Sequence, residues 1–217
     1  MMKADLARVI RLMEKQAREF RVPYVTDVAG RNDPYLVLIS CILSLRTQDK
    51  ATTEASRRLF RAASTPVKML TLSSQRIAKL IYPVGFYRTK ARHIRHISRR
   101  IIAAFRGQVP DTLEGLLSLK GVGLKTANLV LGLGYGKPAI CVDTHVHRIS
   151  NRLGWVKTRA PEETEQALRQ IVPKRHWIAL NTIMVTFGQN VCTPISPRCS
   201  LCSVRRLCKR KGVTTWR

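Results

Sequence analysis

Residues 34–48 read Pro-Tyr-Leu-Val-Leu-Ile-Ser-Cys-Ile-Leu-Ser-Leu-Arg-Thr-Gln, and the apolar run 35–45 within them is the strongest constraint on the fold. It is broken by polar residues well before the roughly 20 apolar residues that span a bilayer, so 34–47 reads as a buried helix of a globular protein. Helical periodicity continues on both sides. Leu6, Val9, Ile10, Met13 and Ala17 make one face, and further helices are expected over 49–63, 74–82, 87–105, 111–119, 125–133, 144–153, 161–171 and 177–187. No stretch alternates convincingly as a strand, although 139–142 reads as briefly extended. The expected fold class is all-α. The breaks are short, at Pro34, Pro66, Pro110, Pro138, Pro161 and Pro173, with no internal repeat and no long linker.

The first ten residues interleave Lys3, Asp5 and Arg8 with their apolar positions and lack the uninterrupted core of a secretory signal. The chain is expected to be intracellular, in the cytoplasm or nucleoid if the source is prokaryotic, with no membrane association. In a reducing compartment, a cluster of four of the six cysteines points to metal or cofactor ligation before disulfides.

Charge narrows the class of partner. The chain carries 39 Lys plus Arg against 13 Asp plus Glu, a formal net charge of +26, and no carboxylate side chain follows Glu165. With 45% apolar residues it still has material for a packed core, which argues against a basic disordered tail. In 87–106, Ile94, Ile97, Ile101 and Ala104 mark a buried face and Arg88, Arg92, Arg95 and Arg99 a neighbouring stripe. A solvated helix face usually mixes signs, and this one has no acid. Arg outnumbers Lys 26 to 13, and the guanidinium fork matches phosphate oxygens. A nucleic acid is the expected partner.

Three short segments carry chemistry. In the first, Gly121-Val122-Gly123 separates two apolar helices. It reads either as an ordinary helical hairpin or as a turn whose bare backbone approaches a phosphate. Lys125 follows in the first turn of the second helix; an amine attacks carbon only in its neutral form, and the positive end of a helix is a place that disfavours an ammonium. In the second, Val142-Asp143-Thr144-His145-Val146-His147-Arg148 opens a helix, and Asp143 stands where an N-cap belongs. In the third, Cys192, Cys199, Cys202 and Cys208 form C-x6-C-x2-C-x5-C within 17 residues. Four thiols so close indicate a metal centre. Only one C-x2-C knuckle is present where structural zinc commonly uses two, so the spacing leans toward a [4Fe–4S] cluster. Arg198, Arg205, Arg206, Lys209, Arg210 and Lys211 surround these ligands. Cys41 and Cys141 lie in apolar settings and read as buried.

The string Leu119-Lys120-Gly121-Val122-Gly123-Leu124-Lys125-Thr126-Ala127 resembles the helix-hairpin-helix of the endonuclease III family of DNA glycosylases. The string 142–145, its distance from Lys125, and the full cysteine spacing resemble that family too, and the likeness runs from the 34–47 helix to the last cysteine. The resemblance implies two helical domains flanking a DNA-binding cleft: 27–137, holding the hairpin, and a discontinuous one of 1–26 plus 138–217, holding a [4Fe–4S] cluster on 192–208. It implies Lys125 and Asp143 as catalytic residues and Cys192, Cys199, Cys202 and Cys208 as cluster ligands. Lys120, Gly121, Val122 and Gly123, with Arg205 and Arg206, would contact DNA. Arg46, Gln48 and Phe86 would enter the base stack, and His145 and Asp49 would line the substrate pocket.

The implied activity is that of a bifunctional DNA glycosylase and abasic-site lyase, acting as a monomer on double-stranded DNA with oxidised or ring-saturated pyrimidines or abasic sites. A monofunctional glycosylase specific for uracil or thymine opposite guanine, or for adenine, is the alternative within the family. A non-catalytic DNA-binding scaffold is the alternative outside it. Two residues depart from the family pattern: Lys120 stands where Pro is usual, and Arg46 where the bacterial type has Gln, which leaves the opposite-base preference open.

Overall fold

Every regular element among residues 3–217, which a computed structural model describes, is helical. The first two residues of the expected 1–26 segment lie outside the described residues. In chain order the α-helices are α1 (Lys3–Ala17), α2 (Tyr24–Ala29), α3 (Pro34–Ser44), α4 (Asp49–Ala62), α5 (Pro66–Thr71) and α6 (Ser74–Ile81). They continue with α7 (Tyr87–Phe105), α8 (Leu113–Leu117), α9 (Leu124–Leu129), α10 (Thr144–Leu153), α11 (Pro161–Ile171) and α12 (Trp177–Asn190). The all-α expectation is met, and 139–142 forms no strand.

The chain divides into two compact units. One is Tyr24–Lys137; the other combines the segment ending at Pro23 with Pro138–Arg217.

Helix α3 is the heart of the first unit. Asp33 caps it, accepting hydrogen bonds from the Tyr35 and Leu36 amides at 2.8 and 3.2 Å, with Pro34 at its first position. Every residue from Tyr35 to Leu43 is buried, so the helix has no solvent face and neighbours must cover it all round. Each buried Leu, Ile or Val contributes about 1.5–3 kcal/mol relative to exposure. Helix α7 covers one side: Ile94, Ile97 and Ile101 are buried, and the Tyr35 hydroxyl meets Ser98 Oγ at 2.7 Å. Arg88, Arg92 and Arg99 stay exposed as their spacing requires. Arg95 does not join them. It is half-buried, and its Nε donates to the Leu72 carbonyl at 3.1 Å, tying α7 to the end of α5. Ala104, expected on the buried face, is exposed.

The second unit is built from α1, α10, α11 and α12. Leu6, Val9, Ile10 and Met13 of α1 enter one core with Val146, Ile149 and Leu153 of α10 and Leu180, Met184 and Phe187 of α12. The Trp177 indole closes it by donating to the Val172 carbonyl at 2.8 Å. Beyond α12 the chain has only two short 3-10 turns, Cys199–Leu201 and Arg205–Leu207.

Where boundaries differ from expectation, local geometry explains it. The 34–47 helix stops at Ser44 because Arg46 is left-handed, φ 51°, which a helix does not tolerate. The 125–133 helix is α9 followed by a π-helical stretch, Val130–Gly134; a Cβ on Gly134 would come within 3.2–3.3 Å of Pro34, so glycine permits this approach to the start of α3. No helix among the described residues is long and apolar enough to cross a membrane.

Candidate functional site

The hairpin is built from α8 and α9. Thr112 caps α8, its Oγ1 accepting from the Gly115 amide at 3.2 Å. Buried Leu119 and Val122 anchor the turn, leaving Lys120, Gly121 and Gly123 exposed. Gly121 is left-handed, φ 88°, and a Cβ there would sit 2.8 Å from His93 Nδ1 on α7. Only glycine meets both conditions. Gly123, the N-cap of α9, has open space where its Cβ would be, so a ligand can reach the backbone. Lys125 is exposed in the first turn of α9, while Thr126, Ala127 and Asn128 are buried. Beneath it the buried Cys41 thiol is pushed up to about 12 by burial, opposed by the Lys125 charge. Beside the turn, Arg92, His93, His96, Arg99 and Lys120 line a groove of about 490 Å³.

The residues expected to enter the base stack come from two turns of the same unit. Arg46 and Phe86 are both left-handed, φ 51° and 56°, and the Arg46 guanidinium carbon lies 5.9 Å from the Phe86 ring centroid, within cation–π range. Phe86 is 65% exposed, far too much for a core aromatic. Gln48 is exposed at the head of α4. Asp49 Oδ1 accepts from the Tyr24 amide at 3.0 Å and so fixes the start of α2.

In the other unit, Asp143 is buried at the head of α10, and its Oδ1 accepts from the His145 and Val146 amides, both at 2.9 Å. The capping expectation holds, and it locks the carboxylate in place. The His145 ring packs on Gly188 of α12, where any Cβ would meet Nδ1 at 2.5 Å, and Nδ1 lies 3.2 Å from Arg148 Nη2.

Sequence reasoning missed Arg148 and Arg152. From α10, Arg148 donates to the carbonyls of Gly188 (3.1 Å) and Cys192 (2.8 Å). Arg152 donates to the carbonyls of Thr193 and Pro194, both at 2.7 Å, and to Cys192 Sγ at 3.4 Å. Their four-residue spacing puts both on one helix face, but nothing in the sequence says that this face meets a loop some 40 residues on.

Cys192, Cys199, Cys202 and Cys208 line one cavity together with Arg152 and Arg210. Burial raises Cys199, Cys202 and Cys208, Cys202 to about 11. The Arg210 amide donates to Cys208 Sγ at 3.3 Å. Among the described residues no three His, Cys, Asp or Glu side chains converge to hold a single metal ion; the four thiols surround a space. Soft sulfur donors around a space, with N–H groups aimed at two of the sulfurs, fit an iron–sulfur cluster. Arg205 and Arg206 are exposed on the outside of this loop.

Residues 39–174 match the HhH-GPD superfamily of base excision DNA repair proteins, and the chain is 50% identical over 204 residues to the endonuclease III of Thermotoga maritima, covering 93% of this chain and 95% of that one. The chain belongs to the endonuclease III family. An endonuclease III solved in a non-covalent complex with DNA matches with a TM-score of 0.82 and 31% identity, over 97% of this chain and 96% of that one. A thermostable thymine-DNA glycosylase matches with a TM-score of 0.81 and 25% identity, over 96% and 95%. Like other members of the endonuclease III family, the protein is therefore a DNA-binding enzyme of base excision repair, a DNA glycosylase and abasic-site lyase.

Proposed function

We propose that the enzyme excises oxidised or ring-saturated pyrimidines, thymine glycol among them, from double-stranded DNA and cuts the strand 3′ to the lesion, with Lys125 as nucleophile and Asp143 as its acid–base partner. The observation that carries this reading is the placement of Lys125: an amine exposed on the first turn after an open glycine backbone. The neutral Nζ attacks C1′ of the sugar, the C1′–N bond breaks, and the base departs with its electron pair. Proton loss from nitrogen and opening of the ring leave an imine between Lys125 and C1′. Removal of a C2′ proton then expels the 3′ phosphate by β-elimination. Asp143 takes up the amine proton and stabilises the positive charge developing on the sugar. Its two amide hydrogen bonds hold the carboxylate fixed, so little reorganisation accompanies the charge change.

In this reading Arg46, Gln48 and Phe86 fill the gap left by the extruded nucleotide. Lys120, the Gly121 and Gly123 amides, and Arg205 with Arg206 hold phosphates, while Val122, buried with its amide on the Leu119 carbonyl, shapes the turn rather than donating to DNA. Asp49 and His145 are the substrate-pocket residues of this reading. Cys192, Cys199, Cys202 and Cys208 hold a [4Fe–4S] cluster, which when bound supplies a structural clip for the basic loop. One chain carries the whole set of residues, so a monomer suffices.

The likeness to a thymine-DNA glycosylase favours one competing reading, a monofunctional enzyme acting on uracil or thymine opposite guanine. Borohydride separates the two. With duplex DNA bearing thymine glycol or an abasic site, the wild type is expected to give a covalent complex that Lys125→Ala does not form. Base release without trapping by the wild type would overturn the lyase assignment to Lys125 and leave the monofunctional reading.

A further inference from the structure

Lys90 lies inside α7, a strongly basic helix, yet it is only 6% exposed and faces inward. Its three ammonium hydrogens have three acceptors: the Leu43 carbonyl at 2.8 Å, the Leu45 carbonyl at 2.5 Å and Thr47 Oγ1 at 3.1 Å. The two carbonyls belong to the C-terminal end of α3, where the helix dipole favours a cation. The Thr47 hydroxyl is the hub. It donates to the Leu45 carbonyl at 3.2 Å and accepts from both Lys90 Nζ and the Gly85 amide, the latter at 3.2 Å, which uses the full capacity of a hydroxyl. Gly85 completes the contact, because a Cβ there would lie 2.7 Å from the Arg46 carbonyl oxygen.

Two surface turns are thus tied to one buried ammonium, and each carries at its tip a non-glycine residue in the left-handed region, Arg46 and Phe86. Such residues cost about 1–2 kcal/mol each over the right-handed alternative and persist only where the surroundings over-determine them. Neither tip residue is buried, so their own packing does not supply that determination. The network beneath them does.

We propose that Lys90 is a positioning residue for base extrusion, holding the 45–48 and 84–86 turns in the single geometry that aims Arg46 and Phe86 together. The inference rests on the reading above in which those two residues enter the base stack. Lys90 touches neither substrate nor Lys125 in this account; it acts through the two turns. Burial holds its ammonium down at about 8, a penalty borne for a network that a surface lysine would not need.

The test compares thymine glycol in a fully paired duplex with the same lesion in a one-nucleotide bulge, where little extrusion work remains. Single-turnover excision is measured for the full-length wild type, Lys90→Met, Thr47→Val, Arg46→Ala and Phe86→Ala, with 2-aminopurine opposite the lesion in the paired duplex reporting on stack opening. Lys90→Met is expected to slow excision roughly 30-fold on the paired duplex, because three buried or half-buried acceptors lose their partner, and by no more than about 3-fold on the bulge. The 2-aminopurine rise should slow in parallel. Thr47→Val, which removes the hub and keeps the ammonium, should give the same pattern with a smaller loss and stands in if Lys90→Met does not fold. Equal losses on both substrates, or no loss on either, would overturn the proposal. If Arg46→Ala and Phe86→Ala show the substrate difference while Lys90→Met and Thr47→Val do not, only the role of Lys90 fails. If none of the four variants shows it, the stack-entry reading fails first.

Discussion

The two units hold their functional side chains by different physics. In Tyr24–Lys137 the turn that carries Arg46 springs from a helix buried on every side, the turn that carries Phe86 opens α7, which packs on that helix, and the cation that organises these two turns, Lys90, is itself inside. In the other unit the segment after α12 has no helix longer than three residues. Few of its side chains reach a core, Val191, Pro197 and Val204 among them, and the guanidinium groups of Arg148 and Arg152 pin its first turn by backbone carbonyls. The difference teaches where each unit is vulnerable. The first is sensitive to core volume and to its internal network. The second depends on polar anchors and on whatever joins its four thiols.

The largest expected effect separates two roles of one residue in the polar unit. Asp143→Asn keeps a good N-cap and removes the charge, so excision should fall at least about 100-fold while stability changes by less than about 0.5 kcal/mol; single-turnover assays and thermal melts measure the two. Asp143→Ala should lose the activity and about 1 kcal/mol as well. If Asn restored activity, Asp143 would be a cap and nothing more.

Next, Cys202→Ser is expected to bleach the brown colour of the purified protein. It should also open the 192–217 segment to trypsin while the helical cores ahead of it stay resistant, making the contrast between packed helices and the polar-anchored loop directly visible. A colourless wild type without acid-labile sulfide would instead indicate zinc.

A smaller effect concerns the groove beside the hairpin. Arg92→Ala combined with Arg99→Ala should reduce the slope of log affinity against log salt by about 1.8 if each arginine neutralises one phosphate. Nuclease-dead binding titrations between 50 and 200 mM salt, as order-of-magnitude bounds on the useful range, read this out. An unchanged slope would return α7 to the status of a solvated face.

The smallest effect tests the buried lysine by linkage. Its pKa in the folded protein is lowered to about 8 from 10.5, so between those values the unfolded chain binds more protons than the folded one. The Lys90 contribution to stability therefore improves as pH rises through that window. The melting temperature of the wild type relative to Lys90→Met should rise from pH 8 toward pH 10; a flat difference would mean that Lys90 is not held in a desolvated site.

Much of this was legible in the sequence because its periodicity is strong. The ends of α7, α10 and α11 fall where the apolar spacing puts them, and the turn 119–125 declares itself through Gly121 and Gly123. Helices α2 and α5, six residues each, are too short to show a period. The π-helical widening at Val130–Gly134 and the early stop at Ser44 come from packing and from the left-handed Arg46, which composition does not encode. Lys90 hid among arginines, yet a signal was present: residues 90, 94, 97 and 101 follow one buried stripe, so a cation at 90 had to point inward. Arg148 and Arg152 had no such signal, because their partners lie across the fold.

The most direct measurement is the identity of the trapped residue. After borohydride reduction on abasic-site DNA, nuclease trimming and tryptic digestion, the sugar remnant should sit on a peptide running from Gly121 to Arg148 in which the bond after Lys125 is uncut, the Lys137–Pro138 bond being resistant to trypsin in any case. A remnant on Lys120, or on a lysine elsewhere in the chain, would contradict the account of how this enzyme works.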